Sequence, residues 1–406
     1  MDPRADTRAL FVTRSARLFA YGWLSVVLAL YLSEAGLSER ELGALLTLTL
    51  AGDAAVSLWM TTRADRLGRR RMLVAGAALM VLAAALFAST RSFWLLTLAA
   101  FVGVISPSGN EVGPFLAIEQ AALAQVVTPA RRTQLFAWYN LVGSLATAVG
   151  ALAGGVLVQV LLGRGLAPLA SYRVIVLGYG VVGLALALVF ARLGPGVEAP
   201  PAPSSSPRLL GLTGSRRVVL GLAGLFSLDS FAGGFVVQAL VAFWFHRRFG
   251  VAPATLGAIF FGANLLAGVS ALSAAALARR IGLLATMVAT HLPSNLLLIV
   301  VPLMPSLPLA ILVLLARFSI SQMDVPTRQS YVMAVVAPEE RAAASGVTGI
   351  ARTLGAALAP AVAAPLFASP ALASVPFFLA GGLKIAYDLV LWVSFRRVRP
   401  REGEAR

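Results

Sequence analysis

SYRVIVLGYGVVGLALALVFA, residues 171–191, is an apolar run whose one charge, Arg173, stands near its start. A helix rises about 1.5 Å per residue, so a run of this length crosses the roughly 30 Å hydrocarbon core of a bilayer. Eleven further runs share its character. In the N-terminal half they cover about 17–33, 41–61, 72–89, 93–118 and 133–161; in the C-terminal half, about 218–245, 251–277, 283–304, 308–335, 342–367 and 374–395. The 406-residue chain is 59% hydrophobic and 12% charged, with a mean hydropathy of +0.85, whereas soluble domains carry about 25% charged residues. The expected fold is an all-α integral membrane protein with twelve transmembrane helices. The first run lacks a small-residue cleavage site and is expected to remain as a span rather than act as a cleaved signal.

Basic residues orient the spans, because positive charge is retained on the cytoplasmic side. With both termini inside, 23 basic residues fall in cytoplasmic segments and 5 in outer loops. The expected location is the cell inner (plasma) membrane, with both ends cytoplasmic. The formal charge of +16 then records topology and contact with anionic membrane lipid. No nucleic-acid partner is expected, since the arginines lie between apolar runs rather than on a basic face with stacking aromatics. The absence of cysteine excludes disulfides and thiolate metal sites, and two histidines, His246 and His291, leave little for a metal centre. Neither metal nor cofactor is expected. Without a nucleophile–base pair or a Walker motif the chain reads as neither an enzyme nor an ATP-driven pump.

Residues 193–216, LGPGVEAPPAPSSSPRLLGLTGSR, form the one long Pro/Ser/Gly-rich stretch and read as a flexible linker between halves at 1–192 and 217–406. A repeat supports the division. QAALAQVVTPARR at 120–132 aligns with QSYVMAVVAPEER at 329–341, 209 residues apart. Parallel six-helix repeats related by pseudo-two-fold symmetry place a substrate site near the midplane between two rocking halves.

The loop after the second run reads Arg63-Ala64-Asp65-Arg66-Leu67-Gly68-Arg69-Arg70. It resembles the Asp-Arg-x-Gly-Arg-Arg loop of the major facilitator superfamily, with Thr61 where the family's leading glycine falls; Arg279, Arg280, Ile281 and Gly282 form a reduced counterpart. Asp65, Arg66, Gly68, Arg69 and Arg70 read as a gating latch, Asp65 accepting bonds from arginines or helix N-terminal amides. The alternative is a loop that only sets topology. The resemblance implies Glu119 as the cluster's partner. It also matches Ala146, Gly150, Ala151, Gly154 and Gly155 to an antiporter motif of the fifth span, without its proline, with a partial echo at Gly355, Ala359 and Pro360. Export by antiport is the implied direction, and close packing is the alternative role for these residues.

Charges within spans mark pathways, ion pairs or proton relays. Asp229 lies eleven residues into the seventh span, on the order of 17 Å deep, with Arg317 at a similar level; Glu111 and Asp324 lie closer to the inner side. The resemblance implies that helices one, four, seven and ten line a cavity, which places these residues on the substrate route. Asp229 and Glu111 are the proton-coupling candidates. Tyr21, Gln238, Arg317, Gln322, Asp324 and Arg328 are the substrate-cavity candidates, Asp324 and Arg328 standing four apart on one helix face. Two prolines and two glycines in Ser106–Pro114 predict a broken fourth helix with freed carbonyls or a simple kink. Asp53 and Arg352 are expected to form a salt bridge between the halves. Lys384 and Asp388, four apart, are expected to neutralise each other, and His291, with no carboxylate near it in sequence, to make a polar helix contact. The function expected is secondary active transport of a small organic solute by alternating access, as proton-coupled efflux, in a monomer whose partners are solute, protons and lipid. The alternatives are an organic-anion uptake carrier or uniporter using intramembrane arginines, and a non-transporting receptor.

Overall fold

The computed structural model describes residues 3–126, 129–198, 215–337 and 340–398. Most of the expected linker (199–214) and Val127, Thr128, Pro338 and Glu339 of the repeated segments lie outside them. Among the described residues the chain is helical, without a strand. α1 (Pro3–Ser25) and α2 (Leu28–Glu34) make one span bent by 46°. Then follow α3 (Glu39–Leu67), α4 (Arg69–Ser89), α5 (Phe93–Val102), α6 (Phe115–Val126), α7 (Pro129–Gly163) and α8 (Pro168–Ala191). The second half runs through α9 (Arg216–Gly234), α10 (Gln238–Phe249), α11 (Pro253–Ile281), α12 (Leu283–Val300), α13 (Leu307–Ser321), α14 (Asp324–Val335), α15 (Arg341–Ala368) and α16 (Val375–Phe395).

Among the described residues ten helical segments are long and apolar enough to cross a bilayer, and the bent pair, taken as one span, makes an eleventh. The expected fourth span is the exception. α5 has only ten residues, and the chain leaves the helix at residues 103–114 before α6 begins. Among the described residues the expected fourth span is therefore not one continuous helix. Prolines 107 and 114 bring no N–H to a helical ladder, while Gly109 (φ 71°) and Gly113 (φ 81°) hold left-handed backbone. At Gly113 a Cβ would also meet Val104 Cγ1 at 2.4 Å, so glycine is required there twice over.

Elsewhere local rules set the boundaries. Ser38 and Glu41 form a reciprocal capping box at the start of α3, satisfying two otherwise unpaired amides. Gly68, at φ 99°, separates α3 from α4, and Gly282, at φ 88°, separates α11 from α12. Both carry the same conformation, which only glycine adopts freely. The sequence echo between the two loops is thus also a backbone echo. Outward-facing side chains are large and apolar: Val181 is 67% exposed and Val393 65%. A water-soluble protein does not display such a surface.

Contacts divide the chain into two compact units: Met1–Pro203 with Val237–Asn264, and Ser204–Val236 with Leu265–Arg406. The hairpin of α10 and the start of α11 thus packs with the N-terminal residues. Each unit uses one packing device. In the first, Gly150 and Gly154 let α7 approach α1 so closely that a Cβ would meet the carbonyls of Phe19 and Trp23 at 2.0 and 2.4 Å. In the second, Gly355 and Gly234 do the same for α15 on α9, against the carbonyls of Ser227 and Ala356 at 2.2 and 2.5 Å. Gly155 faces Pro253 and Gly257 within the first unit. Packing therefore accounts for the fifth-span glycines. Gly150→Val is expected to lower the thermal unfolding temperature sharply, because backbone rather than a flexible side chain blocks the new carbon. Gly382→Ala, with nothing within 4 Å of its added carbon, is expected to leave that temperature unchanged or raise it; equal losses in both would refute the packing account.

Candidate functional site

The N-terminal unit buries an ionic network around the break in the fourth span. Arg14 and Arg17 lie three apart on α1 and share a face. Arg17, with no exposed side-chain surface, sends Nη1 and Nη2 to Glu119 Oε1 and Oε2 at 2.9 and 2.7 Å and Nε to Glu111 Oε1 at 2.9 Å. Arg14 pairs with Glu111 Oε2 at 2.5 Å, donates from Nε to the Tyr139 carbonyl at 2.8 Å and reaches Asn140 Oδ1 at 3.2 Å. Tyr139 and Thr13 both donate to Glu119. Two buried cations thus meet the buried Glu119 and the half-buried Glu111, with hydrogen bonds at the remaining positions, as buried ion pairs require.

Glu111 is thus shared by Arg14 and Arg17. One expectation is corrected. Glu119 is enclosed by α1 and α7 and does not serve the 63–70 loop, whose partner is Glu198. That carboxylate accepts from the backbone N–H groups of Arg69 and Arg70 at 2.6 and 3.3 Å, capping α4, where a helix start favours negative charge. Arg69 also pairs with Asp65 at 2.7 Å, and Arg70 donates to the Leu193 carbonyl at 3.3 Å. Arg66 is exposed.

The carbonyls freed by the broken span are satisfied one by one, as buried backbone demands. Val104 accepts from Tyr179 and Val112 from Tyr21 (3.2 Å). Pro107 accepts from the Ala239 N–H (3.0 Å), Gly109 from Thr147 (3.4 Å) and Asn110 from Ser106 (2.7 Å). Asp53 completes the set from α3, accepting from the Gly113 N–H at 2.5 Å and from Ser57 at 3.2 Å. Tyr21, expected to line a cavity, is wholly buried and stacked on Tyr179. Gln238, also expected there, holds the α10 hairpin by donating to Ser25 at 2.8 Å and accepting from Asn264 at 3.2 Å.

The second unit holds a denser cluster. Asp229 on α9 receives Lys384 Nζ at 2.5 Å from α16 and Arg328 Nη1 at 3.0 Å from α14, with His291 Nε2 at 3.7 Å from α12. Arg328 also contacts Asp324 at 3.2 Å, one turn away. Asp388 is held by His291 Nδ1 and Asn295 Nδ2, each at 2.9 Å. Lys384 and Asp388 therefore do not neutralise each other: sharing one face of α16, both reach α9 or α12. His291 likewise has two carboxylates within reach, brought there by helices distant in sequence. Among the described residues Gln322 contributes its backbone N–H, to Ser270 at 3.3 Å. Arg317 and Arg352 make no side-chain hydrogen bond or ion pair among the described residues, and the Nε of each is buried and unpaired.

Sequence reasoning passed over Arg14 and Arg17, counted as topology signals, and, though it named His291, Lys384 and Asp388, it did not join them in one cluster with Asp229. The available signal was spacing: His291 with Asn295 and Lys384 with Asp388 are each four apart, two polar faces on apolar helices. A further signal is composition. Lys384 is the one lysine among thirty-three basic residues.

Two units with matching helix pairs, a shared glycine turn and ion pairs buried at membrane depth narrow the possible families. The family model described as Major Facilitator Superfamily matches residues 10–360. The chain belongs to the major facilitator superfamily. It is a multi-pass membrane protein and a transporter of solutes. It is 29% identical over 421 residues to the uncharacterized membrane protein YJR124C of Saccharomyces cerevisiae, covering 96% of this chain and 94% of that one. Among solved structures it shares the fold of the nucleoside transporter NupG, at a TM-score of 0.74 and 13% identity over 98% of this chain and 100% of that one. A D-xylose–proton symporter matches at a TM-score of 0.70 and 14% identity, over 97% and 98% of the two chains. In this superfamily member Arg17→Met is expected to strand Glu119 and destabilise the protein by about 3–5 kcal/mol, the usual cost of breaking a buried pair. Arg17→Met with Glu119→Gln is expected to recover part of that loss in thermal unfolding, and strictly additive losses would dissolve the pair. Glu198→Gln is expected to leave folding intact while slowing transport, which identifies the 63–70 loop as a latch; unchanged turnover would leave it a topology signal.

Proposed function

We propose that this chain is a secondary active transporter that carries a small organic solute across the cell membrane by alternating access, with protons as the driving ion. It acts as a monomer in lipid, both termini in the cytoplasm, and exports its solute in exchange for protons. The observation that carries this reading is the contact between Asp229 and Lys384. A bundle that only needed to stand in the membrane has no use for buried charge, which is expensive in hydrocarbon. Arginine keeps its proton under all protein conditions, whereas lysine can give it up. A chain that uses arginine at every other basic position places its single lysine on a buried aspartate, 2.5 Å away.

Asp229 is suited to coupling because its carboxylate is shared. Lys384, Arg328 and His291 approach it from three helices, so a proton or solute taken up there releases contacts to all three. In the N-terminal unit Glu111 bridges Arg14 and Arg17 beside the irregular segment, and it is the second carboxylate on which a proton would alter helix contacts. The 63–70 loop, held to Glu198, serves as the latch on the conformational change.

The test is proton movement in proteoliposomes loaded with a pH dye and challenged with candidate solutes under an imposed gradient. The native protein is expected to move protons only with solute. Lys384→Arg keeps the charge but removes the dissociable proton, and Asp229→Asn removes the shared carboxylate. Both are expected to bind solute and exchange it at equilibrium while losing uphill transport by at least about tenfold. Uphill transport at the native rate in Lys384→Arg would exclude this lysine from the coupling step, and absence of any solute-linked flux in the native protein would favour a receptor.

A further inference from the structure

α4 and α8 pack closely and antiparallel in the first unit: a Cβ on Gly183 would meet Met80 Cβ at 3.0 Å, and one on Gly180 would meet Ala84 Cβ at 2.7 Å. Where α4 begins and α8 ends, this packing leaves a cavity of about 350 Å³ lined by Arg70, Arg71, Val74, Ala75 and Ala191. Helical spacing explains the lining. Val74 stands four residues from Arg70 and three from Arg71, and Ala75 four from Arg71, so the arginine stems and the small residues share one side of α4. Ala75 and Ala191 are too short to fill the recess between the helices. The charges there do not cancel. Residues 65–71 and 191–198, which flank the cavity, hold five arginines and two carboxylates. Asp65 is taken by Arg69, and Glu198 by the amides that open α4. Arg70 is exposed and gives one side-chain donor to the Leu193 carbonyl. Arg71 is exposed and makes no side-chain hydrogen bond or ion pair among the described residues.

Away from the arginines both helices turn apolar faces outward. On α8 the exposed face continues from Ala191 through Leu188, Leu184 and Val181; on α4 it continues from Arg71 to Ala78 and Leu82, at spacings that keep one side of a helix together. Exposed apolar stripes of this kind face hydrocarbon. We propose that the groove between α4 and α8 holds an anionic phospholipid, its phosphate on Arg70 and Arg71 and an acyl chain along the outward stripes. The guanidinium fork matches a phosphate, and basic pockets between spanning helices on the cytoplasmic side take anionic headgroups. Long side chains in the first turn of a helix point back towards its start, which carries both guanidinium groups to headgroup level while their stems lie along apolar surface. A soluble anion would satisfy the arginines and leave the apolar stripes without a role, and a zwitterionic lipid would bring a further cation to a place that already has too many. Assignment to the cytoplasmic leaflet rests on the orientation proposed above; the site itself depends on neither solute transport nor proton coupling.

The experiment uses the purified full chain in an uncharged detergent, titrated with dioleoyl phosphatidylglycerol, with phosphatidylcholine of the same chains, or with inorganic phosphate at constant ionic strength and pH. Thermal unfolding is the readout, and each variant is compared with its own lipid-free baseline. Phosphatidylglycerol is expected to raise the unfolding temperature to a plateau, while phosphatidylcholine and inorganic phosphate leave it unchanged. Arg71→Gln is expected to raise the half-saturating concentration of phosphatidylglycerol about fivefold, the effect of one basic residue at an anionic lipid surface. Ala75→Trp fills the recess with Arg71 intact and is expected to abolish the plateau. Arg280→Gln removes an equal charge from the exposed last turn of α11, away from the groove, and is expected to bind as the native protein does. Equal weakening by Arg71→Gln and Arg280→Gln would reduce the effect to diffuse attraction and overturn the site, and so would native affinity in Arg71→Gln; this comparison decides alone where Ala75→Trp does not fold. Native affinity in a folded Ala75→Trp would remove the lipid from the groove. Stabilisation by inorganic phosphate equal to that by phosphatidylglycerol would make the occupant a soluble anion, and equal stabilisation by phosphatidylcholine would remove the requirement for net negative charge; either overturns the proposal.

Discussion

Arg17 carries a full positive charge onto the buried face of α1, and the neutralisation of that charge organises the N-terminal unit. Glu119 must come from α6 and Glu111 from the irregular segment before it, so α1 cannot pack until the fourth span has broken. The break in turn exposes carbonyls, which Tyr21, Tyr179, Thr147, Ser106 and the Ala239 amide satisfy. One desolvated guanidinium thus links five helices, α1, α6, α7, α8 and α10. The device works because hydrocarbon offers no water to take over either the charge or the backbone groups.

The second unit solves the same problem in a looser way. Arg17 meets Glu119 in a closed, two-pronged pair, whereas Asp229 divides its carboxylate among groups from three helices. Closed pairs resist exchange. A shared acceptor has alternatives at hand, and shifting from one to another costs far less than baring a charge. Arg14 and Arg17 balance Glu111 and Glu119, while Arg317 and Arg352 have no such partners among the described residues.

Much of this was legible in the sequence because it depends on local rules. Apolar run length marked the spans other than the fourth, the Pro/Gly content of Ser106–Pro114 marked a break or a kink there, and Gly68 marked a turn whose left-handed backbone recurs at Gly282. The pair Asp324–Arg328 followed from helical spacing. Lys384–Asp388 has the same spacing and failed, for a physical reason. Spacing tells which residues share a face, but the face meets another helix, and a partner across the interface at 2.5 Å outcompetes one a turn away. Glu119 was misread on the same account, since Arg17 approaches it from about a hundred residues away in the chain; His291 does make a polar helix contact, but with Asp388, equally distant in sequence. Arg14 and Arg17 were hidden by a second ambiguity. At the end of an apolar run, an arginine that sets topology and one that is buried in an ion pair look alike.

The solitary lysine makes the central claim, that the Asp229–Lys384 contact opens and closes as the carrier works, directly observable. Protein labelled with ¹⁵N on the lysine side chain yields a single Nζ resonance, because Lys384 is the only lysine. Its position can be followed by nuclear magnetic resonance in lipid nanodiscs across the pH range in which the protein transports. The account predicts two positions whose populations change with pH, corresponding to the paired and released amine, and collapse to the released position in Asp229→Asn. A single unmoving resonance in a preparation that transports its solute would contradict it.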